Sequence, residues 1–233
     1  YETSEPYHTE SVWAAEEIKK RSNGKFDIQV FPASTLGKET DINQGLTLGT
    51  VDMIISGPSF AARTYPRFGI AYYPFIFRDG DHLIAYSKSP IFQEMVNYYR
   101  AKTGIQVTAY TYYGARHTTA QKPFSTCEGM KGLKIRIPGG PPTEMIKALG
   151  AVPAPVPMPD MYQALDKGVV DGMGAPWEAI QGFRLYEVAK YYTMVSTVTP
   201  YFSLCANKQK WTSLPKDVKD AIMGVSGLKG AKF

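Results

Sequence analysis

The chain is poor in the residues on which most hydrolytic and metal chemistry depends. Three histidines (His8, His82, His117) and two cysteines (Cys127, Cys205) are all it has among 233 residues. No His-Glu-x-x-His, Gly-x-Ser-x-Gly or Walker-type Gly-x-x-x-x-Gly-Lys pattern occurs, so the common zinc-protease, serine-hydrolase and phosphate-loop chemistries lack their residues. The cysteines have neither Cys-x-x-Cys nor metal-ligand spacing, which excludes structural zinc and thiol redox chemistry. Cys127 falls in a turn-like segment and Cys205 in a strand-like one, and two free thiols are expected. No apolar run approaches the roughly 18 to 20 residues of a membrane-spanning helix; those at 51–55 and 71–77 are strand-sized. Charge of one sign is not concentrated either, with 26 Lys and Arg against 21 Asp and Glu for a net +5. The densest basic cluster (Lys19, Lys20, Arg21, Lys25) reads as the solvated end of an amphipathic helix, so no nucleic-acid partner is expected. A modest positive balance suits a small anionic ligand. No metal or cofactor is implied.

What is present alternates between helical and extended patterns. Residues 6–20 are helical, with Val12, Ala15 and Ile18 on one side and Asn23-Gly24 as a stop. Residues 25–31 alternate Phe26, Ile28 and Val30 with polar positions, the pattern of a half-buried strand. A helix over 38–48 and a short strand over 51–56 follow, an order that predicts a parallel α/β sheet. Residues 57–80 read as a long irregular connection rich in Pro, Phe and Tyr. Further on come a broken helix over 81–102, a strand over 105–112, an extended segment over 114–122 and a strand within 131–137. Helix 143–149, strand 152–157, helix 160–167, strand 169–173 and helix 177–188 complete a second strand-helix-strand region. Strands over 191–198 and 201–207 are interrupted at Thr199-Pro200, and helix resumes at 211. Two similar α/β lobes are expected, with a ligand cleft between them.

Catalytic candidates find little support. Asp52 and Asp171 end helix-to-strand turns, where aspartate commonly makes turn hydrogen bonds. The Gly-Gly-Pro-Pro run at 139–142 opens a helix, yet its prolines remove the N–H donors of a phosphate cradle. Two arginines on successive extended segments stand out instead: Arg116, and Arg136 in an otherwise apolar Leu-Lys-Ile-Arg-Ile stretch. Arg136 is either a surface residue of a half-solvated strand or a planar fork that takes a carboxylate bidentately.

The run Gly-Met-Lys-Gly-Leu-Lys-Ile-Arg-Ile-Pro at 129–138 is followed by Ala-Leu-Gly-Ala at 148–151 and Pro-Met-Pro-Asp-Met-Tyr-Gln-Ala-Leu at 157–165. Gly-Val-Val-Asp-Gly stands at 168–172, with Phe-Pro-Ala-Ser-Thr-Leu-Gly at 31–37, Gly-Thr-Val-Asp-Met at 49–53 and Tyr-Pro-Phe-Ile-Phe at 73–77 upstream. Together these ordered blocks resemble the solute-binding subunits of TRAP (tripartite ATP-independent periplasmic) transporters, over nearly the whole chain. The resemblance implies a two-lobed α/β periplasmic binding fold, with residues 1–113 and 201–233 as lobe I and 114–200 as lobe II. It implies a periplasmic monomer that closes around a small organic acid and passes it to TRAP permease subunits in the membrane. It makes Arg136 the carboxylate anchor, assisted by Arg116.

The chain departs from the family pattern at several places. It starts at Tyr1 with no methionine and no basic-then-apolar leader, as removal of a signal peptide or trimming would leave it; both ends are expected to be incomplete. Where sialic-acid-type members carry Gln-Glu-Asn-Pro, this chain has Met-Gly-Ala-Pro-Trp at 173–177. Ala175 in place of an amide removes a hydrogen-bonding partner and opens space, while Trp177 either packs at a helix start or offers a flat apolar face to the ligand. With Met158, Tyr73 and Pro138 as further ligand contacts, the expected ligand is a carboxylate with an apolar or aromatic body. Tyr65, Phe68, Tyr72 and Tyr112 lie in or near the loops the family uses for its cleft. The alternatives are an enzyme on the same fold using Asp171 or His117, and a ligand-sensing domain.

Overall fold

A computed structural model describes residues 1–226; the end of the helical stretch expected from 211 onward lies outside the described residues. Helices α1 (Pro6–Arg21) and α2 (Glu39–Leu48) precede β1 (Met53–Ser56), α3 (Pro58–Thr64), a 3-10 helix (Pro66–Tyr72), α4 (Gly80–Ser87) and α5 (Pro90–Thr103). Strands β2 (Ile105–Tyr112), β3 (Arg116–Ala120) and β4 (Lys134–Ile137) lead to α6 (Pro142–Ala148), β5 (Val152–Pro155) and α7 (Met161–Asp166). The remainder runs through β6 (Gly172–Ala175), α8 (Trp177–Gly182), β7 (Tyr191–Val198), β8 (Tyr201–Asn207), α9 (Lys208–Ser213) and α10 (Lys216–Val225). These elements fall into two compact units, one of residues 1–57, 85–111 and those from 201 on, the other of 58–84 and 112–200.

In the first unit the strands order β1-β8-β2, with β1 antiparallel to β8 and Ile54 opposite Cys205. The parallel pairing expected from the strand-helix-strand order of residues 25–56 is therefore corrected: the neighbour of β1 comes from the far end of the chain. Residues 25–31 join no ladder among the described residues. Phe26 and Ile28 nevertheless sit half-buried on the cluster of Ile18 with Val218, Ile222 and Val225, where α1 meets α10. Alternation reported a half-buried face, and a face alone does not supply a hydrogen-bonding neighbour. The ends of α5 follow from sequence, since the Ser89 hydroxyl accepts from the Phe92 amide at 3.2 Å and Gly104 takes the left-handed cap at φ 69°. Cys205 is buried and Cys127 exposed, both as free thiols.

The second unit carries a five-stranded sheet ordered β5-β4-β6-β3-β7. Here β4 pairs parallel with both β5 and β6, while β3 pairs antiparallel with β6 and β7. One apolar cluster gathers Met161, Leu165, Met173, Ala179, Ile180 and Leu185 from α7, β6, α8 and the turn after it. A second gathers Ile135, Ile137 and Ile146 from β4 and α6. The segment expected to be irregular, 57–80, instead holds α3 and the 3-10 helix. From residue 58 on it belongs to the second unit, although the sequence places it in lobe I. Gly69 explains the packing: a side chain there would stand 3.1 Å from Pro141 and 3.2 Å from Ala62.

Candidate functional site

Register places the candidate residues. One rung of the second sheet runs Ala154, Arg136, Met173, Thr119, Tyr192 across β5, β4, β6, β3 and β7. Residues opposite one another on a rung project to the same face. The stem of Arg136 therefore shares its face with Met173, in the cluster that α7 and α8 cover. Arg136 is 3% exposed, and its Nε donates to the Val156 carbonyl at 2.8 Å, just past the end of β5. That bond fixes the direction of the guanidinium fork. The surface-arginine alternative is excluded by this burial.

Arg116 starts β3, and the register against β7 shifts between Arg116 and Thr118, so the strand is irregular where the arginine leaves it. Its side chain turns to β6, where Nη1 donates to the Gly174 carbonyl at 2.7 Å. Gly174 adjoins Met173, the rung partner of Arg136. Arg116 is thus held to β6 by its side chain, while Arg136 pairs with the same strand through its backbone and turns its side chain to the end of β5. Arg116 is 8% exposed, its guanidinium carbon lies 5.3 Å from the Tyr72 ring centre and 6.0 Å from that of Tyr113, and its Nε has no acceptor among the described residues. No carboxylate pairs with it there. A buried guanidinium cannot shed its proton, and without an opposite charge its burial is costly.

The other candidates are placed as follows. Trp177 opens α8 half-exposed, stacked on Tyr192 at 4.0 Å and 29° between ring planes, so the packed-core alternative does not hold. Met158 is half-buried against the cluster under α7 and α8. Ala175 is 1% exposed within that cluster; its methyl belongs to the core, and the space it was expected to open is filled by packing. Pro138 follows β4, half-buried. Tyr73 is exposed, while its neighbour Tyr72 is the ring that meets Arg116. The loop of Tyr73 is tied to β7 by the Phe75 amide, which donates to the Thr197 carbonyl at 2.9 Å.

The acid–base candidates are engaged structurally. Asp171 accepts from the Lys134 amide at 2.7 Å, and Asp52 pairs with Lys210. Nδ1 of His117 accepts from the amides of Val195 and Ser196 at 3.2 and 3.0 Å, which makes the ring neutral with its proton on Nε2. Burial lowers the His117 pKa below its ordinary 6.5. Once the pH falls below about 6.5, the unfolded chain takes up this proton more readily than the folded one, so acidification removes stability. The melting temperature is expected to be lower at about pH 5.5 than at about pH 7.5, and His117→Asn is expected to narrow that gap. Equal gaps in the two proteins, read by differential scanning calorimetry, would contradict the assignment.

The sequence did not single out Tyr192, which stacks on Trp177, or Arg63. Arg63 lies on α3, its Nη2 3.6 Å from where a side chain on Gly139 would begin. It was hidden because 57–80 reads as irregular. Among the described residues no helix is long and apolar enough to cross a membrane, and no cluster of His, Cys, Asp or Glu could hold a metal ion.

The sequence profile of the bacterial extracellular solute-binding proteins of family 7 matches residues 2–226. The C4-dicarboxylate-binding periplasmic protein of Rhodobacter capsulatus is 31% identical over 206 residues, 88% of this chain and 62% of the relative. A TRAP periplasmic solute-binding protein of Roseobacter denitrificans, solved with L-galactonate, superposes with a TM-score of 0.91 at 28% identity, covering 96% of this chain and 75% of that one. One from Desulfovibrio salexigens, solved with orotic acid, superposes with a TM-score of 0.89 at 27% identity, covering 95% and 71%. The fold is thus the two-lobed α/β fold of these proteins. The chain spans about two thirds of the length of the curated relatives it matches.

Proposed function

The chain belongs to the bacterial extracellular solute-binding proteins of family 7, and from that premise we propose that it captures a small organic carboxylate in the periplasm for a TRAP permease. The observation that carries this reading is Arg116, a buried cation with no acidic partner among the described residues, held to the same strand that Arg136 pairs with. A ligand carboxylate supplies the missing charge and accepts two parallel N–H bonds, a geometry that arginine offers and lysine does not. Arg136 is the proposed anchor and Arg116 its assistant. Trp177, Met158, Tyr73 and Pro138 are proposed to contact the ligand body, with Ala175 acting through the packing beneath.

Relatives bind sugar acids such as L-galactonate and the flat acid orotate. The face of Trp177 turned away from Tyr192 suits an aromatic body and equally the C–H face of a sugar acid. The protein acts as a monomer in this reading, and catalysis plays no part, since Asp171 and His117 are committed to backbone amides. A thermal-shift screen over a carboxylate library tests the proposal. An acid present at a hundredfold excess over its Kd is expected to stabilise the protein by about 3 kcal/mol. A library in which neutral sugars and amines shift the melting temperature and carboxylates do not would overturn it.

A further inference from the structure

Where β3 meets β7 the second sheet is irregular in a way that converges on one atom. Thr118 pairs with Thr193 and Arg116 with Val198, so His117 alone faces residues 194–197, which bulge from the ladder. Inside the bulge Ser196 takes φ 48°, an uncommon conformation for a residue other than glycine. The amides of Val195 and Ser196, taken out of register by the bulge, both donate to Nδ1 of His117. Thr197, the next residue, links the bulge to its surroundings. Its hydroxyl donates to the Arg116 carbonyl at 3.2 Å. Its own carbonyl accepts from Phe75, itself at φ 60° and two residues beyond Tyr73. The His117 ring also lies 5.3 Å from that of Tyr192, on which Trp177 stacks. One ring nitrogen thus fastens the bulge that ties down Arg116 and the loop of Tyr73.

We propose that His117 is a positioning residue for ligand capture: its bare Nδ1 holds the β7 bulge, and through it Arg116 and Tyr73, and protonation there releases the bulge and weakens acid binding. This rests on the carboxylate-capture reading above and adds a control to the same site. A proton on Nδ1 would set one N–H against two others, so both bonds are lost together. The groups around the ring are few. Arg116 precedes it on β3, with its guanidinium turned to the Gly174 carbonyl, and Ala175 stands opposite on β6. From β7 comes Tyr192, whose phenol stays neutral because burial, then the Glu178 charge, holds it above its ordinary 10. From α8 comes Trp177, 6.4 Å away and followed by Glu178. Glu178 favours a charged ring, whereas Arg116 and burial oppose it, and burial prevails.

The test follows the Val195, Ser196 and Thr197 amides of the full chain by NMR from about pH 7.5 to about pH 4.5, with calorimetric titration of L-galactonate and orotate over the same range. In the wild-type protein the three amides are expected to shift together with the His117 ring, with one apparent pKa below 6.5. Below that point Kd is expected to rise by up to about tenfold per pH unit, the limit for one proton. His117→Phe keeps a ring beside Tyr192 but offers no acceptor, and is expected to bind roughly tenfold more weakly throughout. His117→Asn sets an oxygen where Nδ1 stood and does not titrate, so it is expected to recover the binding that His117→Phe loses and to flatten the pH profile. A ring that does not titrate in this range, or amides that stay fixed while it does, overturns the inference. If the acids bind and respond to Arg136→Ala but show the same pH profile in wild type and His117→Asn, only this inference fails. If neither acid, nor any other in the carboxylate library, binds the wild-type chain at any pH, carboxylate capture fails and takes it along.

Discussion

Arg136→Ala is expected to weaken carboxylate binding by well over tenfold, because removing the partner of a desolvated charge typically costs about 2 to 5 kcal/mol. The argument begins with position. Arg136 is on an interior strand with parallel neighbours on both sides, and only 3% of it is exposed, so bulk water competes little for its N–H groups. Nε is occupied by the Val156 carbonyl, which orients the planar end without neutralising it. Arg136→Lys retains the charge but loses both that orienting bond and the bidentate fork, and is expected to weaken binding too. Alanine at this position also removes a long buried stem, so circular dichroism and a melting curve must accompany the titration. A folded Arg136→Ala protein with wild-type affinity would remove the anchor from the account.

Gly172→Ala is expected to destabilise the second unit by about 1 to 3 kcal/mol, the usual cost of overpacking where backbone must move. Gly172 opens β6 between β4 and β3, opposite Ile135 on one side and Ala120 on the other. A methyl there would stand 2.7 Å from the Thr119 carbonyl oxygen and 3.0 Å from the Ala120 Cβ. The strand must then shift away from β3, and β6 is the strand to which Arg116 is tied and with which Arg136 pairs. Loss of ligand affinity is therefore expected to accompany the loss of stability. Urea unfolding checks the first effect and calorimetry the second. An unchanged midpoint would mean that the sheet yields at this point more easily than the contact distances imply.

How much of this was legible in the sequence depended on whether the signal was local. Strands β7 and β8 were read with the bounds the structure gives them, because Thr199-Pro200 punctuates two long β-rich runs. The broken helix around Ser89-Pro90 was equally plain, since a serine cap and a proline in the first turn are local chemistry. Residues 25–31 carried a clean alternation and still formed no ladder among the described residues, for pairing depends on what lies alongside. The antiparallel partner of β1 was illegible for the same reason: it lies about 150 residues away in sequence. Aromatic and proline-rich composition concealed α3, and with it Arg63 and the grouping of 58–84 with the second sheet.

The candidate site shows the same division. Arg116 and Arg136 were visible as cations on successive extended segments, that of Arg136 otherwise apolar, and the family resemblance gave them a role. That Arg116 bonds to the strand with which Arg136 pairs needed the register. Ala175 was read as space beside the ligand, whereas the cluster under α7 and α8 claims its methyl.

The most direct measurement of the central claim is a crystal structure of the protein with the tightest acid from the thermal-shift screen. The account predicts the ligand carboxylate in paired hydrogen bonds with the Arg136 guanidinium and an additional bond from Arg116. A carboxylate bound elsewhere, with the Arg136 side chain still directed at Val156 and no ligand atom beside it, would contradict it.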